Sequence, residues 1–331
     1  MLKVSVIIPV YNITEYLIEA LDSVFSQTMA RKEFEVIVVD DGSKEPVNKQ
    51  LLKYQHYDSI KLISQKNKGL PAARNAGIKE ALGDFLVFLD ADDTLNREKL
   101  ERQSRILSKN PEASFVYSNA CLIKNNQVTS EVVGRGLRTR KGSSCFDIYF
   151  DCAISIHAAM CRRSQAINID MFDERLLHNE DDDFWFRLSV EFGDGIYDSY
   201  VSCNRRLHDS QMTKNEWKTL YYMWRTMEKN SILYRDQLIN VWPRVVESKK
   251  AMKANYLYVK NSKNSISNEH KKYLKRYFRL INESIVEDFF SYKVMTFIEL
   301  FIFYRKRLLL RILLKNTGLY NFSRKLRGKN V

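Results

Sequence analysis

The first hundred residues alternate between short apolar runs and longer amphipathic segments. The apolar runs are rich in β-branched residues and end in polar or turn-forming residues; they cover 4–10, 34–39, 60–64 and 85–89. Between the first two runs, residues 15–27 carry Leu17, Leu21 and Val24 at helical spacing, with Thr14 as a candidate N-cap. Strands that alternate with helices at this spacing predict βαβ units and a mostly parallel sheet covered by helices.

Acidic residues directly follow two of these predicted strands. Asp40 and Asp41 come at the end of the second strand, and Asp90, Asp92 and Asp93 come after the fourth. The carboxyl ends of parallel strands meet at one edge of a sheet, where the ligands of open α/β sheets bind. Clustered carboxylates repel one another, and a divalent cation that also binds phosphate oxygens relieves this repulsion. The pattern predicts either a metal and phosphate site or a solvated acidic turn that caps the next helix.

A second acidic run, Glu180 to Asp183, precedes an aromatic segment that predicts a helix to about residue 192. Asn179 is a candidate cap for this helix, and acidic residues in a first turn suit the helix dipole. The run holds more acidic residues than capping requires, which makes it a second candidate site.

Further strands are predicted at 114–123 and 196–203. Between them, the polar residues 124–144 contain a basic cluster made of Arg135, Arg138, Arg140 and Lys141. This segment predicts either a mobile loop over the site or a plain solvated connection.

The composition of the chain changes near residue 214. Glycine is absent from there until Gly318, and the sequence becomes helical and rich in Lys, Arg, Tyr and Trp. We therefore expect a domain over 1–213 and a basic helical region over 214–331. Within that region, 289–314 mixes apolar and aromatic residues with basic ones. This pattern is typical of a helix on an anionic membrane surface, or of one packed against its own domain or a second copy of the chain.

Charge and cysteine content narrow the classes of protein further. The net charge of +13 indicates an acidic partner such as nucleotide phosphates, a nucleic acid or an anionic membrane. Five cysteines without a C-x-x-C pair argue against a disulfide framework and a structural zinc site, and they suit a reducing cytoplasm. We expect neither a signal peptide nor a membrane-spanning helix. The first strand lacks G-x-G-x-x-G, which disfavours a nucleotide-dependent oxidoreductase.

Five motifs, in order along residues 1–213, resemble those of a known family. They are VIIPVYN at 6–12, VVDDGS at 38–43, NKG at 67–69 with RN at 74–75, LDADD at 89–93, and Glu180-Asp181. Together they resemble the inverting family 2 glycosyltransferases with the GT-A fold. The resemblance implies a Rossmann-like, mostly parallel sheet flanked by helices. It implies nothing for the helical C-terminal extension.

The resemblance also implies a binding site for a nucleotide-sugar donor. The donor-binding roles fall on Pro9, Tyr11, Asn12, Asp40, Asp41, Lys68, Arg74, Asp90 and Arg206. Asp41, with Pro9 and Tyr11, would line the uracil and ribose pocket. Arg74 would face the base or the phosphates, and Asp90 would meet the ribose.

Metal and catalytic roles follow from the same resemblance. Asp92 would coordinate Mn²⁺ or Mg²⁺ on the donor diphosphate, and His208 would reach the same metal or diphosphate. Asp181 would act as the general base of a single displacement, and Glu180 would orient the acceptor. Asp182 is an extra acidic residue where the family often carries a bulky one, so Asp181 and Asp182 both remain candidates for the base.

We therefore predict an inverting, metal-dependent glycosyltransferase that acts in surface polysaccharide synthesis. It would transfer a hexosyl or N-acetylhexosaminyl group from a UDP-sugar to a hydroxyl of a glycan or lipid-linked acceptor, in the cytoplasm at the inner face of the plasma membrane. Trp185 would stack on the acceptor sugar or pack in the core. The alternatives are a non-catalytic nucleotide-sugar-binding protein and a basic peripheral-membrane interaction protein. Nucleic acid is disfavoured because an acidic rim repels a phosphate backbone.

Overall fold

The computed structural model describes residues 2–241 except 13–14, 46, 55–58, 134–147, 150–153 and 209–215, and also positions 245 and 248. Residues Met1–Val245 form one compact unit. The strands are β1 (Val4–Val10), β2 (Phe34–Asp40), β3 (Ile60–Ser64), β4 (Phe85–Phe88), β5 (Thr94–Leu95), β6 (Phe115–Lys124), β7 (Gln127–Val133), β8 (Ala159–Arg162) and β9 (Ile196–Arg206). The helices are α1 (Leu17–Phe25), α2 (Asn48–Leu51), α3 (Leu70–Glu80), α4 (Lys99–Lys109), α5 (Arg163–Asn168), α6 (Glu180–Phe192), α7 (Glu216–Leu233) and α8 (Arg235–Leu238). Short 3₁₀ turns lie at Arg31–Glu33, Leu52–Tyr54, Ile156–Ala158 and Ile239–Val241.

Within the described residues, the nine strands form one mixed sheet in the order β3-β2-β1-β4-β8-β6-β9-β5, with β7 paired to β6. The first four strands in this order are parallel. Strand β8 is antiparallel to both β4 and β6, whereas β6 and β9 are parallel. The predicted α/β fold with helices flanking the sheet is confirmed. The parallel β1–β4 block matches the predicted βαβ pattern, and the later strands make the sheet mixed.

The core forms on both faces of β1 because successive residues of a strand point to opposite sides. Val6 and its alternate neighbours pack in one apolar cluster with Leu21 and Val24 of α1. On the other face, α3 lies close to the sheet: a Cβ atom at Gly77 would be only 2.4 Å from Cγ2 of Ile7. Every residue of β1 is buried, as expected for a central strand.

The structure corrects the predicted loop over 124–144 in its first half. Residues 127–133 form β7, antiparallel to β6, with Lys124 opposite Gln127. Asn125 and Asn126 make the tight turn, both with positive φ (50° and 60°). A two-residue turn of this kind matches the twist of a hairpin, and Asn tolerates it. The basic cluster of the second half lies outside the described residues.

Other differences concern short strands and the later part of the chain. Strands β5 and β8 were not predicted, and β9 continues to Arg206, three residues beyond its predicted end. The boundary predicted near residue 214 falls outside the described residues and stays a prediction, as do Thr14 as a cap and the proposed role of 289–314. No helix in the part of the chain that the structure describes is long and apolar enough to cross a membrane.

Candidate active site

The turn after β2 lies at the carboxyl edge of the sheet and is fixed by short polar contacts. Asp40 Oδ1 accepts a hydrogen bond from the Ser43 backbone N–H at 2.9 Å. The Asn12 backbone N–H donates to Ser43 Oγ at 3.0 Å, which ties the end of β1 to this turn. Gly42 has a φ of +79°, and a Cβ atom there would lie 2.7 Å from the Asn67 backbone nitrogen. The motif therefore forms a rigid turn that only glycine fits at its centre.

Asp41 is buried and receives hydrogen bonds from the loop that leads into α3. Its Oδ1 accepts from Gln65 Nε2 at 2.7 Å and from the Lys68 backbone N–H at 2.9 Å. Its Oδ2 accepts from the Gly69 backbone N–H at 2.9 Å. Asp41 thus joins the ends of β2 and β3 at the start of α3, where unpaired helix N–H groups favour a carboxylate.

The remaining donor-site candidates, at the end of β1 and in the loop before α3, differ in how far their side chains are exposed. Pro9 is buried within β1, Tyr11 is 49% exposed just after that strand, and the Lys68 side chain is exposed. Tyr11 and Lys68 are therefore accessible to a ligand, and Pro9 shapes the end of the strand.

Arg74 joins the two acidic candidate sites. Its side chain is 1% exposed; Nη2 donates to Asp90 Oδ1 at 2.8 Å, and Nη1 donates to Glu180 Oε1 at 2.6 Å. Its guanidinium carbon lies 5.4 Å from the centre of the Phe172 ring. Burial opposes the charge of Arg74, but the carboxylates of Asp90, Glu180 and Asp181 outweigh burial and raise its pKa. Burial likewise opposes ionisation of Asp90, but Arg74 outweighs it and holds the pKa of Asp90 below its usual value.

Asp92 and His208 form a close pair at the open part of the rim. Asp92 Oδ2 lies 2.7 Å from His208 Nε2, and the two side chains are 16% and 13% exposed. Burial and the neighbouring carboxylate of Asp90 raise the pKa of Asp92, although contact with His208 opposes the rise. A carboxylate oxygen and an imidazole nitrogen at this spacing, reached by solvent, suit a cation such as Mn²⁺.

Asp93 and His157 form a more deeply buried pair beneath that rim. Asp93 Oδ1 accepts from the Arg206 backbone N–H at 2.8 Å, and its Oδ2 lies 3.0 Å from His157 Nδ1. Burial lowers the pKa of His157 to about 4, so its imidazole is neutral. Ligand atoms of Asp90, Asp93 and His157 lie within 4.8 Å of one another, which makes them a second group able to hold a metal. Sequence reasoning missed His157, because nothing in its neighbourhood distinguishes it from a core histidine.

Arg206 contacts the turn that contains Asp92 and Asp93. Its Nε donates to the Asp92 backbone oxygen at 2.9 Å, Nη1 donates to Asn126 Oδ1 at 2.8 Å, and Nη2 pairs with Glu19. Its guanidinium carbon lies 4.4 Å from the centre of the Tyr16 ring. These contacts place Arg206 as a support of the Asp92 loop.

The first turn of α6 carries the candidate general bases. Asn179 occupies the N-cap position with a φ of +58°, but its side chain makes no capping hydrogen bond. Instead, Asn179 Nδ2 donates to Asp182 Oδ2 at 2.6 Å, and the Asp182 backbone N–H donates to Asp181 Oδ1 at 3.0 Å. Burial, with the nearby charges of Asp182 and Glu180, raises the pKa of Asp181 well above its usual value.

Trp185 does not face the site. Its side chain is completely buried, and its ring centre lies 5.0 Å from that of Phe115 and 5.1 Å from that of Phe184. This position corrects the predicted stacking on an acceptor sugar: the indole packs in the aromatic core under α6.

Comparison with solved structures identifies the architecture. The chain superposes on Staphylococcus aureus TarS 1–349 in complex with UDP-GlcNAc with a TM-score of 0.57 at 18% identity, covering 86% of this chain and 92% of that one. It superposes on a mannosyltransferase of Pyrobaculum calidifontis in complex with GDP-Man and Mn²⁺ with a TM-score of 0.56 at 16% identity, covering 86% and 87%. Likeness at such identity establishes the fold alone. The chain has the GT-A fold of glycosyltransferases.

Comparison of sequences finds similar glycosyltransferases. The family model described as Glycosyl transferase family 2 matches residues 5–157. An uncharacterized glycosyltransferase of Rickettsia conorii is 33% identical over 60% of this chain and 32% of its own length. The UDP-Glc:alpha-D-GlcNAc-diphosphoundecaprenol beta-1,3-glucosyltransferase WfgD of Escherichia coli is 28% identical over 67% of this chain and 83% of its own length.

Over residues 5–157 the chain is similar to glycosyltransferases of family 2, and the similarity to WfgD covers 67% of the chain. The chain spans between 26% and 65% of the length of the first five curated relatives that it matches. The matched family model ends at residue 157, so Glu180, Asp181, Arg206 and His208 lie beyond it.

Proposed function

We propose that the chain is an inverting, metal-dependent glycosyltransferase that uses a UDP-sugar. The acceptor is a hydroxyl of a glycan or a lipid-linked saccharide, and the reaction belongs to surface polysaccharide synthesis at the inner face of the plasma membrane. The names of similar proteins support the donor class, since they include a UDP-Glc-dependent transferase and a protein in complex with UDP-GlcNAc.

The observation that carries this proposal is the bridge made by Arg74. One guanidinium binds Asp90, next to the Asp92–His208 pair, and also Glu180, next to Asp181. The bridge joins residues 106 positions apart. It holds the acidic turn Asp90–Asp93, here called the donor rim, beside the start of α6. A transferase needs this proximity, because the donor phosphates and the acceptor hydroxyl must meet at one carbon atom.

Inversion requires a single displacement at the anomeric carbon of the donor sugar. The acceptor oxygen forms a bond to this carbon while the bond to the phosphate oxygen breaks, and the electron pair of that bond leaves with UDP. The proton of the acceptor hydroxyl passes to a carboxylate base. A raised carboxylate pKa makes the base a better proton acceptor, which fits the environment of Asp181.

We assign the base to Asp181 and not to Asp182. Asp182 Oδ2 is turned back toward Asn179, from which it accepts a hydrogen bond at 2.6 Å. Asp181 uses Oδ1 for the Asp182 backbone N–H. Glu180 is held by Arg74, which suits a residue that orients the acceptor.

The residues also fit a divalent cation. Asp92 and His208 supply one oxygen and one nitrogen on the accessible rim, and two protein ligands leave room for diphosphate oxygens and water. We prefer this pair to the group of Asp90, Asp93 and His157, because the side chains of Asp93 and His157 are only 5% and 4% exposed, whereas those of Asp92 and His208 are 16% and 13% exposed. When bound, the cation would neutralise negative charge on the leaving UDP.

A thermal-shift panel tests the donor class and the metal together. UDP, UDP-Glc, UDP-GlcNAc, GDP, GDP-Man and CDP are each measured with and without Mn²⁺. A ligand at 100 times its Kd stabilises the native state by about 2.7 kcal/mol, equivalent to roughly 5–10 °C for a domain of this size. We expect this shift with uridine nucleotides and Mn²⁺ only.

Two variants make the panel specific. Asp92→Asn should remove the Mn²⁺-dependent part of the shift, and Asp84→Asn, an exposed carboxylate just before β4, should keep it. A shift with GDP-Man alone would replace the proposed donor class. No shift with any nucleotide would favour a non-catalytic interaction protein.

A further inference from the structure

Helix α7 packs against α6 although it begins after the predicted domain boundary. Its residues Trp224, Met227 and Ser231 are buried along one face. Tyr149 Oη donates to the Met227 backbone oxygen at 3.1 Å. The Tyr222 ring stacks on that of His178, just before α6, with centres 5.6 Å apart and planes at 9°. Helix α7 is therefore part of the wall beside the candidate base.

Lys229 of α7 reaches two carboxylates at the start of α6 and just before it. Its Nζ lies 2.6 Å from Asp183 Oδ1 and 3.0 Å from Asp173 Oδ2. Asp183 is completely buried and lies in the first turn of α6, two residues after Asp181. An ionised carboxylate is costly to bury unless a cation pairs with it, and Lys229 supplies such a cation from a different helix.

Arg187 supplies a second cation from within α6 itself. Its Nε donates to Asp183 Oδ2 at 2.8 Å, and its Nη2 donates to the Met171 backbone oxygen at 2.6 Å. Asp183 therefore keeps one charged partner when Lys229 is removed. Loss of Lys229 detaches the first turn of α6 from α7 but leaves the buried charge paired.

The first turn of α6 is thus held by cations on two sides. Arg74 of α3 binds Glu180, and Lys229 of α7 binds Asp183. Asp181 lies between these two anchors in the sequence. Four adjacent carboxylates repel one another, so the direction in which Asp181 points depends on both anchors.

We propose that Lys229 is a positioning residue of the glycosyltransferase: by tying Asp183 and Asp173 to helix α7, it holds the first turn of α6 so that Asp181 faces the reacting hydroxyl. The proposal rests on the proposed function, since Asp181 is the base only if that function holds. It assigns to α7 a part in catalysis that its place in the sequence does not reveal.

The test compares Lys229→Met with Lys229→Arg and with the control Arg175→Gln. Arg175 also binds Asp173, and its side chain is 77% exposed. Three quantities are measured: amide hydrogen exchange at 183–187 in the free protein, the Kd of UDP with Mn²⁺ by calorimetry, and UDP release from UDP-Glc and UDP-GlcNAc in water.

We expect Lys229→Met to speed exchange in the first turn of α6 by about 10-fold. UDP release should fall on the order of 10-fold to 100-fold, since a small displacement of a catalytic group has effects of this size. The Kd of UDP should stay within about twofold, because the donor rim is held by other residues. Amide exchange and UDP release should stay near their wild-type values in Lys229→Arg and in Arg175→Gln.

Normal exchange and normal UDP release in Lys229→Met would overturn the proposal. An equal loss of UDP binding would also overturn it, as that result indicates a general structural role. If the wild-type protein releases UDP from neither sugar nucleotide, the proposed function fails, and amide exchange alone decides whether Lys229 holds the turn. If Lys229→Met does not fold, Asp173→Asn, which removes the other anchor of Lys229, is judged by the same criteria.

Discussion

Replacing Arg74 by Met tests whether the bridge between the two acidic sites stabilises the protein. The change keeps an unbranched side chain in the buried space and removes the charge and both hydrogen bonds. It leaves Asp90 and Glu180 without the cation that lies 2.8 Å and 2.6 Å from their oxygens.

The expected loss of unfolding free energy follows from those two contacts. A hydrogen bond to a charged group contributes roughly 1.5–3 kcal/mol, so two such bonds give roughly 3–6 kcal/mol. Breaking a buried ion pair by removing one partner costs about 3–5 kcal/mol, which agrees with this sum. The free energy of unfolding should therefore fall by about 3–5 kcal/mol, equivalent to a decrease in Tm of roughly 6–20 °C.

Urea unfolding at neutral pH measures this loss, and Arg105→Met is the matched control. Arg105 pairs with Glu101 at 2.6 Å, as short as the bond from Arg74 to Glu180, but Arg105 is 62% exposed. An exposed pair of this kind contributes about 0.3–0.5 kcal/mol. Equal losses in the two variants would refute the argument that burial makes the Arg74 bridge strong. The double variant Arg74→Met with Glu180→Gln should recover part of the loss, because it removes one uncompensated charge.

The remaining predictions concern the metal pair, the base and a buried anchor. Asp92→Ala and His208→Ala should each remove the Mn²⁺-dependent part of UDP binding in calorimetry, and unchanged affinity would contradict their role as ligands. Asp181→Asn should spare UDP binding but lower UDP release by about 10²–10⁴-fold, whereas Asp182→Asn should keep most activity. Because the pKa of Asp181 is raised, UDP release should increase with pH through a value above 3.8 and fall in acid, as a pH–rate profile would show. Burial opposes ionisation of Asp173, but Arg175 and Lys229 outweigh it and hold its pKa well below 3.8. Its contribution to stability is thus present above that pH and lost as pH falls, so urea unfolding of Asp173→Asn and wild type should converge in acid.

The sequence was sufficient to predict the features that depend on local pattern. Strands β1 to β4 were predicted because each is a short apolar run that ends in polar or turn-forming residues. The placement of Asp40 and Asp90 on one edge also followed, since parallel strands end together. The Asn125-Asn126 turn was a readable hairpin signal that the interpretation of 124–144 as a loop passed over.

Other parts of the site depend on contacts between residues far apart in the chain. His157 meets Asp93 across 64 positions, and Lys229 meets Asp183 across 46. No local period marks either pair, because both are created by the packing of separate elements. Trp185 was misassigned for the opposite reason. Its place beside a candidate base in the sequence suggested stacking on a sugar, but its side chain is completely buried.

The order of strands in the sheet has a consequence for synthesis on the ribosome. Strand β5 at Thr94–Leu95 pairs with β9, which begins at Ile196, and β8 separates β4 from β6 although it is made after both. At 5–20 residues per second, about 100 residues pass in roughly 5–20 s before β5 finds its partner. The β1–β4 block can pair early, but the nascent chain keeps an open edge at β4 until β8 emerges. His208 follows β9 directly, so the Asp92–His208 pair is among the last contacts of this sheet that translation allows.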